Sequence, residues 1–168
     1  MWLYRVLLAL ASPFIARRIW RFHKRYANYR VQETLGNWGA IQADLWLHCA
    51  SVGEVLAAKP LIARWLEANP NKQLLITTVT PTGEEQVRKW FADRVQHRYL
   101  PLDHKVCVQR ALGNLNCPQL AIIETELWPN LLQTAKAKGM IIQIINARLS
   151  ERSAKRYETF GCFSKPLM

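Results

Sequence analysis

The chain has 168 residues, 50% of them hydrophobic and 21% charged, which suits one globular domain able to bury a core. Its four cysteines are widely spaced and contain no Cys-x-x-Cys pair, which excludes a disulfide framework and favours a reducing compartment. The formal net charge is +11, but residues 1–30 hold seven of the 23 basic residues and no acidic one. The excess charge is therefore a local N-terminal feature, which argues against a protein that is basic throughout.

The N-terminal segment combines an apolar run with cations and aromatic rings. The run extends from Val6 to Ala16, which is shorter than the about 20 residues of an untilted membrane span, and Arg5 and Arg17 bound it. Aromatic residues flank it on both sides: Trp2, Tyr4, Trp20, Phe22, Tyr26 and Tyr29. Such a pattern favours a lipid surface, so we predict that residues 1–30 associate with a membrane and leave the domain on its cytoplasmic side. The alternative is a surface helix packed on the domain.

Strand and helix signals alternate after a polar connector at residues 36–42. Apolar, β-branched runs predict strands at residues 44–50, 73–79, 95–100, 119–124 and 140–146. Helices are predicted at residues 53–69, 82–91 and 129–138, with another starting at Ser150. Apolar strands separated by amphipathic helices are typical of a parallel sheet covered on both faces. We therefore predict an α/β, Rossmann-like, doubly wound domain over residues 31–168.

In such a sheet the binding crevice lies at the carboxyl ends of the strands, so function is expected in the loops at residues 51–54, 80–83, 124–130 and 146–150. None of these loops has a Gly-x-Gly-x-x-Gly or Walker pattern, which disfavours dinucleotide and nucleoside triphosphate binding. His104-x-x-Cys107 and the adjacent His48 and Cys49 are only fragments of a metal site. We predict no metal and no cofactor. Nucleic-acid binding is disfavoured because the cations lie on an apolar segment away from this crevice.

The residues of two loops have ordinary structural interpretations. Ser51-x-x-Glu54 is a capping-box pattern, in which Glu54 reaches back to the Ser51 amide. Thr80 followed by Pro81 is typical of a helix start, although the backbone there could also face an anionic group. Gly53 and Gly83 would allow a ligand to approach the backbone closely.

Four motifs together carry a more specific signal: CASVGEVLAAKP at 49–60, TTVTPTGEE at 77–85, ETELWPN at 124–130 and NARLS at 146–150. In this order and spacing they resemble the 3-deoxy-octulosonic acid (Kdo) transferases of lipopolysaccharide assembly. That resemblance implies the GT-B architecture, in which an N-terminal domain takes a lipid A precursor and a C-terminal domain binds CMP-Kdo. It also implies transfer of Kdo with inversion. This chain corresponds to the acceptor half, and we expect it to be a fragment without the donor domain.

The resemblance also assigns roles to residues. It makes Glu54 the general base that deprotonates the acceptor hydroxyl, and it gives Glu124 a supporting catalytic role. Residues implied in acceptor binding are Ser51, Gly53, Thr80, Thr82, Glu126 and Arg148. For Glu126 the alternative is an exposed loop charge, and for Arg148 it is a surface salt bridge, for example with Glu151.

The expected partners are a lipid A precursor, CMP-Kdo through the absent domain, and the cytoplasmic face of the cell inner membrane, with no nucleic acid. Two other functions remain open: a non-catalytic module that binds lipid at a membrane surface, and a GT-B transferase that uses another donor.

Overall fold

The computed structural model describes residues 2–124 and 128–146, so Glu126, Arg148 and the helix predicted from Ser150 lie outside the described residues. The helices are α1 (Trp2–Arg25), α2 (Val31–Thr34), α3 (Val52–Ala68), α4 (Pro81–Phe91), α5 (Lys105–Gly113) and α6 (Pro129–Ala137). A short 3-10 turn (Ala92–Arg94) follows α4. The strands are β1 (Ile41–Gln42), β2 (Leu45–His48), β3 (Leu74–Thr78), β4 (Gln96–Tyr99), β5 (Leu115–Asn116), β6 (Gln119–Ile123) and β7 (Ile141–Ile145).

Five strands form a parallel sheet in the order β4-β3-β2-β6-β7. In its centre, Leu47 of β2 pairs with Ile76 of β3 and with Ala121 of β6. β2 and β3 are almost wholly buried because helices cover both faces of the sheet. The predicted parallel α/β sheet is confirmed, and its order reverses between β2 and β6. This reversal is the position where doubly wound sheets open a crevice.

Two hydrophobic clusters lie on opposite faces of the sheet. On one face, α3 and α4 contribute Val55, Ile62 and Phe91 to a cluster with β2 and β3. On the other, α5 and α6 bury Leu112 and Leu131. Burial of this apolar surface is the main favourable contribution to folding, and it fixes the strand ends on which the candidate site is built.

Some elements differ from the sequence prediction. α5 was not predicted because it has only nine residues, and its buried positions Val108, Ala111 and Leu112 are too few to show a clear helical period. The parallel pair of β1 and β5 has two residues in each strand and was also missed. Within α3, Leu56 and Leu61 lie off the buried face although they are apolar, and they are 45% and 42% exposed.

Helix α1 spans 24 residues and contacts the domain through both of its ends. The Tyr4 hydroxyl donates to the Asp103 carboxylate at 2.6 Å, and the Phe22 ring packs edge-on against Tyr29 at 5.5 Å between centroids. Its opposite face leaves Leu10 and Phe14 69% and 77% exposed. No helix within residues 2–124 and 128–146 is long and apolar enough to cross a membrane. Association of α1 with a membrane surface stays a prediction.

Candidate active site at the carboxyl edge of the sheet

Glu54 lies in the first turn of α3, just beyond the end of β2. Ser51 occupies the N-cap with an extended backbone, and its hydroxyl oxygen accepts from the Glu54 amide at 3.4 Å. The predicted cap is therefore present. The carboxylate, however, accepts from the amide of Ala50 at 2.6 Å and from the Ser51 hydroxyl at 2.8 Å. The shortest backbone bond of the carboxylate is thus to the Ala50 amide, which lies one residue beyond the last ladder bond of β2, from Cys49 to Thr77. The predicted interaction with the Ser51 amide contributes more weakly.

Glu54 is only 6% exposed, and this burial raises the pKa of its carboxyl group above the ordinary glutamate value. Hydrogen bonds from the Ser51 side chain and the Ala50 amide act in the opposite direction, and the negative charge of Glu124 adds to the increase. The net direction is upward. A carboxylate with a raised pKa is a stronger base than an exposed one.

Glu124 follows β6 directly and has a left-handed backbone with φ +63. Residues other than glycine rarely adopt this conformation, and such outliers are concentrated at functional sites. Its amide donates to the Ile145 carbonyl at 2.8 Å, which ties it to the end of β7. Its charge acts on Glu54 across the point where the strand order reverses. The structure therefore brings together the two carboxylates to which the sequence assigned catalytic roles.

The loop between β3 and α4 is organised by Thr80. Its side chain caps α4 by accepting from the Gly83 amide at 3.2 Å, Pro81 occupies the first helical turn, and Thr82 donates to Thr80 at 3.4 Å. The helix start predicted here is confirmed. A Cβ on Gly83 would lie 3.1 Å from Thr78, so the protein itself occupies the space on that side of the glycine. The approach of a ligand to the Gly83 backbone stays a prediction. Beside Gly53, by contrast, the nearest atom to such a Cβ is the Ser51 hydroxyl at 3.9 Å.

A buried polar network supports this loop from below. Arg30 donates to Glu84 at 2.6 Å and contacts His97 Nδ1 at 2.9 Å. His97 Nε2 lies 3.0 Å from the Thr78 hydroxyl, which donates to the Thr80 carbonyl at 3.2 Å. Burial lowers the pKa of His97 to about 3, so the imidazole is neutral. The sequence did not reveal this network because Arg30 and Glu84 are 54 positions apart.

Asp103 is a second residue that sequence analysis missed. Its carboxylate accepts from the amides of Asn130 and Leu131 at 3.0 and 2.8 Å, and it thereby caps α6 from a distant loop. It also accepts a hydrogen bond from the Tyr4 hydroxyl of α1. One signal was present in the sequence. Trp128 occupies the N-cap position of α6, and its side chain does not cap the helix, so a residue elsewhere in the chain is needed for this role.

The histidines and cysteines that the structure describes are not grouped as metal ligands. Within residues 2–124 and 128–146, no three His, Cys, Asp or Glu side chains form such a cluster. His48 is wholly buried, its Nδ1 lies 2.9 Å from the Thr77 hydroxyl, and burial lowers its pKa to about 4. His48 is therefore a neutral core residue.

Comparison with known proteins identifies the family to which this chain is similar. Residues 18–168 match the family model described as 3-deoxy-D-manno-octulosonic-acid transferase (kdotransferase). A 3-deoxy-D-manno-octulosonic acid transferase of Haemophilus influenzae is 40% identical over 92% of this chain and 38% of its own length. A bifunctional glycosyltransferase/methyltransferase of Fusobacterium nucleatum is 30% identical over 99% of this chain and 25% of its own. A probable mitochondrial 3-deoxy-D-manno-octulosonic acid transferase of Arabidopsis thaliana is 33% identical over 94% of this chain and 36% of its own length.

This chain spans between a quarter and two fifths of the length of these relatives. The matched region nevertheless covers nearly all of it, including both carboxylates and each of the four sequence motifs. The chain therefore belongs to the 3-deoxy-D-manno-octulosonic-acid transferase family.

Proposed function

We propose that this chain forms the acceptor-binding part of a GT-B glycosyltransferase that transfers Kdo from CMP-Kdo to a lipid A precursor. The observation that carries the proposal is the pair formed by Glu54 and Glu124 at the point where the strand order reverses. Glu54 is buried, its pKa is raised, and a second carboxylate acts on it. The family to which the chain belongs supports the assignment of substrates.

Glu54 is the general base in this proposal. A sugar hydroxyl is a poor nucleophile, so a carboxylate within hydrogen-bonding reach of its proton is needed. The acceptor oxygen forms a bond to the anomeric carbon of Kdo while the bond from that carbon to the CMP phosphate breaks. The proton passes to Glu54, CMP departs with the electron pair, and attack from the opposite face inverts the anomeric centre.

Each of the surrounding residues has a proposed part in this reaction. The Ser51 hydroxyl orients the Glu54 carboxylate through its 2.8 Å hydrogen bond. The open space beside Gly53 lets the acceptor approach the start of α3. Thr80 and Thr82 present hydroxyl groups on the neighbouring loop. Glu126 and Arg148, which lie outside the described residues, are proposed from sequence to contact the acceptor, with the Arg148 guanidinium pairing with a phosphate.

The acceptor is a membrane lipid, so the proposed location is the cytoplasmic side of the inner membrane. Three apolar side chains on α1 are mostly exposed: Leu7 at 55%, Leu10 at 69% and Phe14 at 77%. They would enter the lipid surface, and the basic residues that follow them in the sequence would contact anionic headgroups. The same feature favours the second candidate function, a non-catalytic module that holds acidic lipid without transferring sugar.

The test is consumption of CMP-Kdo in the presence of a lipid A precursor, measured for this chain and for a longer form that carries a donor domain. We expect transfer by the longer form and none by this chain alone. If the longer form binds the lipid but consumes no CMP-Kdo, the non-catalytic function is the correct one. Turnover with another activated sugar in place of CMP-Kdo would identify a GT-B enzyme with a different donor.

A further inference from the structure

An apolar groove separates α1 from the body of the domain and has a cavity volume of about 940 Å³. Its walls include Leu8, Ile15 and Ile19 on α1, with Leu35, Leu102 and Val106 opposite them. That volume is in the range of about 300–1,000 Å³ typical of ligand pockets. Nothing in the reaction chemistry at Glu54 requires a cavity of this kind.

The groove continues toward the candidate active site. A smaller cavity of about 130 Å³ shares Leu8 and Leu102 with it and extends to Val79 and Trp128. The Val79 amide donates to the carbonyl of Ala50 at 3.1 Å, and the Ala50 amide in turn holds the Glu54 carboxylate. The wall of the smaller cavity is therefore connected to Glu54 through two backbone hydrogen bonds.

One edge of the groove favours an anion. Among the lining residues, Lys105 supplies a positive charge, and the exposed imidazoles of His23 and His104 supply nitrogens for hydrogen bonds. Helix α5 starts at Lys105 with no side-chain cap and no acidic residue in its first turn, so its amides and dipole add positive potential. The nearby Asp103 carboxylate is already engaged by Tyr4 and the start of α6. An apolar cavity with a cationic edge is complementary to an acyl chain that carries a phosphate.

We propose that this groove binds an acyl chain of the phosphorylated lipid acceptor, drawn from the membrane along the inner face of α1. The assignment to the acceptor rests on the proposed function. The two faces of α1 then differ in role. Leu10 and Phe14 on the outer face meet the bilayer, and Leu8, Ile15 and Ile19 on the inner face hold one chain, so that the sugar headgroup reaches Glu54.

The binding test uses octyl phosphate below its micelle concentration and isothermal titration calorimetry on this chain. We expect saturable binding of one molecule, with affinity that falls about fourfold for each methylene removed. Butyl phosphate, with the same headgroup, should therefore bind far more weakly, and octyl glucoside, with the same chain, should bind more weakly than octyl phosphate. Equal affinity for butyl and octyl phosphate would overturn the proposal.

Two variants block the groove from opposite walls. Ala16→Trp fills it from α1, and Val106→Glu introduces a negative charge from α5 at a position that is 53% exposed. Both should weaken octyl phosphate binding at least tenfold. The matched control is Leu56→Trp, which places the same side chain at a 45% exposed position of α3 that lines neither cavity and should leave binding unchanged. Binding that survives both blocking variants would exclude the groove as the site.

The link to the acceptor is tested in a longer form with transfer activity. There Ala16→Trp should raise the KM for the lipid A precursor at least tenfold with little change in kcat. An unchanged KM would overturn the assignment to the acceptor. If the longer form transfers no Kdo although Ala16→Trp abolishes octyl phosphate binding, the groove stands as a lipid site and the proposed function fails.

Discussion

At the scale of single residues, the local environment decides what each carboxylate can do. Glu54 and Glu84 are both buried in the first turn of a helix, at 6% and 5% exposure. Tyr99 and Arg30, the latter at 2.6 Å, donate to Glu84, and these hydrogen bonds lower its pKa despite its burial. Burial raises the pKa of Glu54, whose neighbouring charge is a carboxylate in place of a guanidinium. Glu84 is consequently a structural anion, whereas Glu54 is suited to accept a proton.

Removing the charge of Glu124 should change the pH dependence of transfer. Glu124 contributes to the raised pKa of Glu54, so Glu124→Gln should lower that pKa and shift the acidic limb of the kcat/KM profile to lower pH. The measurement is the pH–rate profile of a longer, active form. Glu67→Gln, at an exposed position near the end of α3, is the charge control and should leave the profile unchanged. An unmoved acidic limb in Glu124→Gln would show that the two carboxylates do not interact during turnover.

Gly53 offers a test in which stability and activity should move in opposite directions. Its surroundings are open, and alanine is a better helix former, so Gly53→Ala should stabilise the fold by about 0.5–1 kcal/mol in denaturant unfolding. If the acceptor approaches the backbone here, the added methyl group should reduce transfer. Full activity in the stabilised variant would remove Gly53 from the acceptor site.

Sequence analysis identified these residues only in part. The capping pattern at Ser51 and the strand end at Glu124 are local features, and both could be recognised from the chain alone. The left-handed backbone of Glu124 and the cap that Asp103 provides for α6 depend on contacts between distant segments. Local patterns carry no information on such pairings.

At the scale of elements, α1 is the feature that most needs a separate test. Deleting it would also uncover Leu102 and Val79, so loss of membrane binding and loss of fold could be confused. Substitution on its exposed face avoids this problem. Leu10 and Phe14 do not line either described cavity, and both are mostly exposed.

The double variant Leu10→Glu/Phe14→Glu should abolish binding to vesicles that contain anionic phospholipid while leaving the melting temperature nearly unchanged. The outer face would then carry charge where the lipid surface requires apolar side chains. Vesicle co-sedimentation measures the effect, and Leu56→Glu/Leu61→Glu, on the exposed face of α3, is the matched control. Retained co-sedimentation of the α1 variant would make α1 an ordinary surface helix.

The main strands and the long helices could be predicted because each shows a clear apolar pattern in the sequence. α3 has 17 residues and buries Val55, Ile62 and Leu66 on one side, so its pattern is clear despite the exposed Leu56 and Leu61. α5 has nine residues and was missed. The groove was also unpredictable, since it depends on how α1 is placed against α2 and α5.

At the scale of the whole molecule, one sheet positions both the proposed chemistry and the proposed lipid site. The order β4-β3-β2-β6-β7 places the ends of β2 and β6 side by side, so the charge of Glu124 acts on Glu54. The loop after β4 supplies Asp103, which joins α1 to the start of α6. A displacement of α1 would therefore act directly on the start of α6.

The central claim is that Glu54 is the general base, and the substitution Glu54→Gln tests it most directly. Gln has nearly the same side-chain shape as Glu and can keep its contacts. Its oxygen can accept a hydrogen bond from the Ala50 amide, and its nitrogen can donate one to the Ser51 hydroxyl. The raised pKa of Glu54 means that its ionised form is less favourable in the folded state, and the stability it contributes is lost as pH rises through the folded pKa. At neutral pH Glu54→Gln should therefore not lower the melting temperature.

The same preparation should be assayed for Kdo transfer in a longer, active form. Because Gln cannot take a proton, turnover should fall on the order of a hundredfold or more. Glu54→Ala, which removes the capping contacts, should lose activity and also cost about 1 kcal/mol of stability. We expect Glu54→Gln to combine a wild-type melting temperature with lost turnover. Near-normal transfer by folded Glu54→Gln would contradict the account and leave Glu54 as a helix cap alone.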